Sequence, residues 1–259
     1  VTTVLLVRHG RTTANTSGVL AGWSEGVALD DTGRAQAAAL HDRLAGVPLT
    51  AAVTSPLQRC LETASAVLAG RGLQPSVDDR LGECRYGEWT GKELKALAKD
   101  PLWKVVQTHP SAVTFPGGES LREVQTRAVD TVRDVNARLG PDAVWAAFSH
   151  GDVIKAVLAD ALGMHLDAFQ RIVADPCSVS VVRYTDQRPY VLRMNDTGGD
   201  LSWLAPPAKK RGRRRTQATD AVVGGGAGLT GSATAATDAT DAAGAAEDRG
   251  AARPPAASA

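Results

Sequence analysis

Short apolar runs alternate along the chain with longer stretches of helical period. "TVLLVRH", from Thr3 to His9, is a continuous apolar run rich in β-branched residues, which predicts a strand covered on both faces as in a parallel sheet. After the loop Gly10 to Leu29, "LDDTGRAQAAALHDRLAG" puts Ala37, Leu40 and Leu44 on one helical face. Asp30 or Asp31 would be its cap, and Gly46 its stop. "LTAAVTS" predicts a second strand. Ser55 as N-cap and Pro56 at the first helical position then open a helix that carries Leu57, Leu61, Ala64 and Leu68 to Gly70.

A third strand is expected at "QPSVDDR", followed by an irregular insertion from about 82 to 116 with one helix, Lys92 to Ala98. Ser120 followed by Glu123 forms a capping box ahead of Leu121, Val124, Ala128, Val132 and Val135 at helical spacing. "AVWAAFS" reads as a buried strand that breaks at His150-Gly151 into the helix "DVIKAVLADALG", and "SVSVVRY" with "PYVLRM" reads as a terminal hairpin. The alternation of strands and helices predicts an α/β fold, three-layer α/β/α with a mostly parallel sheet and a lid-like insertion over the strand C-terminal ends. One domain is expected over 1–204. From about Ala205 the chain turns to Ala, Gly, Thr and Pro with almost no large apolar residue, which predicts a disordered tail over 205–259.

Charge divides at the same place. Beyond residue 204 there are eight Lys/Arg against five Asp/Glu, and before it 21 against 23, so the globular part requires no nucleic acid to balance it. The tail's basic run, Lys209 to Arg215, is read as a solvated segment. Three cysteines, Cys60, Cys84 and Cys177, have no CxxC spacing and suggest neither a disulfide framework nor a zinc site. With no window approaching about 20 apolar residues, a reducing cytoplasm is expected and no membrane. The pattern specifies no oligomeric state.

In open α/β sheets, ligands bind beyond the carboxyl ends of the strands, where helix N-termini also point. Three polar motifs fall there: "RHG" after the first strand, "SPLQR" after the second, and "SHG" after the penultimate apolar run. They bring Arg8, His9, Arg59 and His150 to one rim. Two guanidinium forks, two imidazoles and helix starts suit a dianion such as phosphate. A neutral histidine facing phosphate can attack phosphorus, and the leaving oxygen then needs a proton from a carboxylic acid in the insertion. Glu83 and Glu88 in "LGECRYGEWTG" both qualify by spacing. His41, His109 and His165 lack such company. Cys60 is expected to be packed and inert, and Glu119 and Ser120 in "PGGES" to serve helix initiation.

The ordered set resembles the histidine phosphatase superfamily, also called phosphoglycerate mutase-like, over essentially residues 4 to 200. "LLVRHGRTTAN" is similar to its RHG signature, "SPLQRCLETA" to its SPLxRxxxTA, and "FSHG" to its second histidine motif, with "PGGES" and "GEWTG" as weaker companions. The resemblance implies that His9 is phosphorylated, that Arg8 and Arg59 hold the phosphoryl oxygens, and that His150 completes the cradle. It further implies Asn15 as a phosphate ligand and Glu83, rather than Glu88, as the proton donor. No metal or other cofactor is implied, because the Arg/His cluster supplies the positive charge. The expected activity is phosphomonoester hydrolysis through a phosphohistidine, on a small phosphorylated substrate.

A phosphomutase of the phosphoglycerate mutase type is the alternative, and a non-catalytic binder of a phosphorylated ligand the more distant one. In the mutases an arginine typically follows the acid. Here Cys84 follows it, and "RYGEWTGKEL" looks closer to the small broad-specificity and α-ribazole-phosphate-type phosphatases. Trp23 and Arg85 are candidates for the substrate pocket, with loop anchoring as the other reading of Trp23.

Overall fold

The computed structural model describes residues 1–199 and 223–226. Its strands are β1 (Thr2–Arg8), β2 (Ala51–Thr54), β3 (Ser76–Val77), β4 (Val144–Ser149), β5 (Val179–Tyr184) and β6 (Pro189–Asp196). Its helices are α1 (Thr13–Ser17), α2 (Asp31–Leu44), α3 (Gln58–Val67), α4 (Leu94–Leu97), α5 (Pro101–Thr108), α6 (Leu121–Leu139) and α7 (Gly151–Ala161). The strands form one sheet in the order β3-β2-β4-β1-β5-β6. Pairings among β1, β2, β3 and β4 are parallel, and those of β1 with β5 and β5 with β6 antiparallel.

The continuous apolar runs have the expected explanation. Every residue of β1 except Thr3 is buried, because helices cover both sheet faces. On one face Leu5, Val7, Ala146 and Phe148 meet Ala37 and Leu40 of α2 and Ala64 and Val67 of α3. On the other, Val4, Leu6, Trp145 and Ala147 meet Val124, Ala128 and Val132 of α6 and Ile154 and Val157 of α7. The same apolar body extends into the insertion through Tyr86, Trp89 and Phe115, with Trp89 stacked on Trp103 at 6.2 Å.

One local expectation is decided and three change. The cap of α2 is Asp30, whose carboxylate accepts from the Gly33 amide at 2.7 Å. Helix α3 starts at Gln58 behind Leu57, with no side-chain cap; Ser55 accepts from the Leu57 amide at 3.3 Å, but its hydroxyl is engaged elsewhere. Strand β3 is only Ser76–Val77, because Asp78 accepts from the Arg80 amide and starts a 3-10 turn over Asp79–Leu81. In the insertion the expected helix shrinks to α4, and a second one, α5, follows, capped by Asp100 with Pro101 in its first turn. The Ser120–Glu123 capping box and the terminal hairpin form as expected.

Among the described residues no helix is long and apolar enough to cross a membrane. The tail expected over 205–259, with its basic run Lys209 to Arg215, lies outside the described residues except at Val223–Gly226. Those four residues pack against the domain.

Candidate active site

β1 and β4 are adjacent and parallel, with Arg8 paired to Ser149. Their C-terminal ends therefore deliver Arg8–His9 and His150 side by side, with the two imidazole centroids 5.2 Å apart. β2 lies on the other side of β4 and leads, through Ser55, into the first turn of α3, where Arg59 sits. The approach is tight. A methyl group at Gly10 would lie 2.7 Å from the Gly33 carbonyl oxygen, and one at Gly33 would collide with the Arg11 carbonyl, so two glycines let the RHG loop lie on the start of α2.

All four of these polar side chains are buried: Arg8 1%, His9 2%, Arg59 3% and His150 0% exposed. Arg8 spends one nitrogen, Nη1, on the Ala174 carbonyl at 2.8 Å, and Arg59 spends Nη2 on the Gly22 carbonyl at 2.8 Å. Arg8 Nε and Nη2 and Arg59 Nη1 are buried with no partner. Unmet guanidinium donors in a dry site are costly, and the group that answers several at once is an oxyanion.

The His9 ring is oriented by its backbone. Nδ1 lies 2.7 Å from the Gly10 carbonyl, which can only accept, so Nδ1 carries the proton and Nε2 keeps its lone pair. Burial, then Arg59 and Arg8, hold the His9 pKa well below its ordinary value, so the ring is neutral at physiological pH. His150 is lowered likewise, by burial first and then by Arg59 and His9. Its Nε2 pairs with the Ser55 hydroxyl at 2.8 Å, which is the engagement that removes Ser55 from capping α3. Cys60 Sγ lies 3.4 Å from the same nitrogen, and burial pushes its thiol up to about 12, so it stays protonated.

Glu83 is 2% exposed. Its Oε1 accepts from the Cys84 amide at 2.9 Å and its Oε2 stands 4.0 Å from His150 Nδ1. Burial first, then the Asp152 carboxylate, push its pKa up to about 7 against the pull of Arg59 and Arg8. A carboxyl group there is poised to exchange a proton near neutral pH. Glu88 lies on a 3-10 turn and does not line the cavity.

The cavity is lined by His9, Asn15, Arg59 and Glu83 together with Tyr86 and the segment Val223–Gly226. Asn15 sits in α1, where its Oδ1 accepts from the Thr12 amide and hydroxyl, both at 3.0 Å, leaving the amide NH2 as the free end. Arg11 turns away to pair with Asp30 at 2.8 Å. Trp23 and Arg85 do not line this cavity. Trp23 donates its indole N–H to the Glu83 carbonyl at 2.6 Å, and Arg85 stacks over the Trp23 ring at 3.8 Å. His41, whose Nδ1 bonds the Val67 carbonyl, and His165, beside Asp167, are also outside it.

Two contributors escaped the sequence reading. Arg127, on α6, donates to the carbonyls of Arg80, Gly82 and Glu83 and pairs with Glu119 at 2.6 Å, clamping the loop that presents Glu83. Glu119 also accepts from the Arg85 amide, so it holds the loop as well as preceding the helix. Asp152, buried at the start of α7, accepts from the Tyr86 hydroxyl at 2.8 Å and pairs with Lys155 at 3.0 Å. Only the position of Arg127 on the apolar side of an amphipathic helix signalled it. Among the described residues no group of three or more His, Cys, Asp or Glu is placed to hold a metal.

Fold and site together define an α/β phosphoryl-handling enzyme with a histidine pair between buried arginines. The chain belongs to the histidine phosphatase superfamily, branch 1, whose model matches residues 4–197. It is 29% identical over 197 residues to phosphoserine phosphatase 1 of Hydrogenobacter thermophilus, covering 75% of this chain and 92% of that one. It is 31% identical over 213 residues to a protein of Cronobacter sakazakii named "Probable phosphoglycerate mutase GpmB", covering 79% and 96%. Among solved structures, YhfR of Bacillus stearothermophilus superposes with a TM-score of 0.71 at 30% identity, over 76% of this chain and 98% of that one.

Proposed function

We propose that this chain hydrolyses a small phosphomonoester in two steps through a phosphohistidine on His9. The observation that carries the reading is the His9 Nδ1–Gly10 bond, which leaves an unprotonated Nε2 at a cavity that Arg59 lines, with unused donors on Arg59 and on the buried Arg8 next to His9. Nε2 attacks phosphorus, the P–O bond to the leaving alcohol breaks, and Glu83 gives that oxygen its proton. Glu83, now a carboxylate, takes a proton from water as the water attacks the phosphohistidine, which frees phosphate and restores the ring. Arg8, Arg59, His150 and Asn15 hold the phosphoryl oxygens, and this cluster carries the charge that a metal carries in many phosphoryl transferases.

Hydrolysis is favoured over phosphoryl return to a second substrate by the residues beside the acid. Cys84 is fully buried and uncharged, and Arg85 is spent on Trp23, so no cation follows Glu83 into the cavity to bind a substrate carboxylate. The likeness to a protein named as a mutase supports the second reading. A phosphomonoester panel with free phosphate as readout, run with and without 2,3-bisphosphoglycerate, separates the two. We place the reaction in a reducing cytoplasm, a reading supported by three buried free thiols.

The role of His9 is tested by rapid quench in alkaline denaturant with a labelled phosphomonoester, since the P–N bond survives base and is lost in acid. Wild type should trap acid-labile label and His9→Ala none; equal label on both would remove His9 as nucleophile.

A further inference from the structure

We propose that the phosphate pocket also binds a segment of its own chain, Val223–Gly226, which acts as a reversible plug that substrate must displace. The proposal rests on the reading of this site as a phosphomonoester pocket and adds its regulation.

The segment is seated by specific contacts. Val223 is 1% exposed and joins the apolar cluster that includes Leu20 and Tyr86. The Gly224 amide donates to Asp152 Oδ2 at 2.9 Å, the same oxygen that accepts from Tyr86. Gly225 then stands close against the Arg8 guanidinium: a methyl group there would stand 2.8 Å from Arg8 Cζ and 2.9 Å from Nη2. Its Cα is also close to Gly151, at 3.2 Å from where a Cβ on Gly151 would be. Gly224 and Gly225 both have φ of +74°, in the left-handed region. Glycine is therefore required at 225 by backbone conformation and by space.

Occupancy and catalysis exclude each other. With the segment in place Gly225 stands against the Arg8 guanidinium and Gly224 is bonded to Asp152, so the side of Arg8 that a phosphoryl group would use is covered. A phosphoryl group that reaches Arg8 from this side has to displace the segment. The plug is also weakly held, because it covers Arg8 without supplying an acceptor: Arg8 Nε and Nη2 and Arg59 Nη1 stay unpaired beneath it. A phosphoryl group brings oxygens to those donors, so ligand wins when it is abundant. Asp152 gains a purpose as receptor for the segment, and Gly151 a reason to lack a side chain.

The test uses the full chain and two variants outside the catalytic machinery, Gly225→Val and Val223→Asp. Affinity for inorganic phosphate is measured by calorimetry, and KM and kcat with an aryl phosphate. A plug docked nine-tenths of the time weakens apparent affinity about tenfold. Both variants should therefore bind phosphate several-fold tighter and show a KM lowered in step, with kcat unchanged. A synthetic peptide of residues 219–230 should inhibit both variants competitively, and the same peptide carrying Gly225→Val should not. Wild-type phosphate affinity in both variants would overturn the plug whatever the activity. Tighter phosphate binding without turnover of any phosphomonoester would keep the plug and overturn the hydrolase.

Discussion

Burial and the Asp152 carboxylate set the Glu83 carboxyl near 7, while burial and two arginines keep His9 deprotonated well below its ordinary value. The proposed acid, Glu83, and the proposed nucleophile, His9, are thus both in their working forms below about pH 7. The rate on an alkyl phosphate should fall as pH rises past that value, and Glu83→Gln should remove this limb. The variant should lose about 10²–10⁴-fold on alkyl phosphates and far less on a nitrophenyl phosphate, whose leaving group needs little protonation. Equal losses on both would remove Glu83 as the acid. The same shift has a thermodynamic side. Between 4.5 and about 7 the folded chain holds the Glu83 proton and the unfolded chain does not, so this group's contribution to stability falls as pH rises. Glu83→Gln should gain on wild type by up to about 3 kcal/mol between pH 4 and pH 8 in urea titrations. The two histidines act in the opposite sense, since their folded pKa values are lowered and stability is lost as pH falls through about 6.5.

Elements position these residues through features of unequal visibility in the sequence. Strands β1 and β4 were legible because residues buried on both sides must be apolar throughout, and α6 because its capping box and period agree. Ser55 was misread because a serine before a proline looks like a cap wherever its hydroxyl goes. Its partner, His150, is 95 residues away, and no local pattern encodes that distance. β3 was read too long because Asp78 caps a turn from inside what looked like a strand. Helix α5 carried its Asp-Pro start signal, hidden in an insertion read as irregular. Arg127 showed only in its place on the helix, because its contacts are largely to backbone carbonyls, which leave no pattern in the sequence. Arg127→Met should leave the Arg80, Gly82 and Glu83 carbonyls and the Glu119 carboxylate short of a donor. A loss of about 2–4 kcal/mol in chemical denaturation is expected, with kcat falling as the Glu83 loop loosens.

At the scale of the whole molecule, the residues proposed to bind phosphate are spread over most of the domain, from Arg8 to His150, so ligand is expected to have no affinity for a part of it. Inorganic phosphate at about 100 times its Kd should therefore raise global stability by about 2.7 kcal/mol. Hydrogen exchange should slow in β1 and β4 together rather than in one loop; protection confined to the Gly10–Leu29 loop would contradict this. The order of strands in the sheet carries a further consequence. β1 precedes the other described strands in the chain, yet its parallel neighbour is β4 and its antiparallel neighbour β5, both more than a hundred residues later. During translation His9 waits at the end of an unpaired apolar strand, whose partners close loops of high contact order and so form late. Until β4 docks, Val4 to Val7 are an exposed apolar stretch that needs shielding from other nascent chains, so yield of soluble protein, before any kinetic constant, should register changes at the β1–β4 seam.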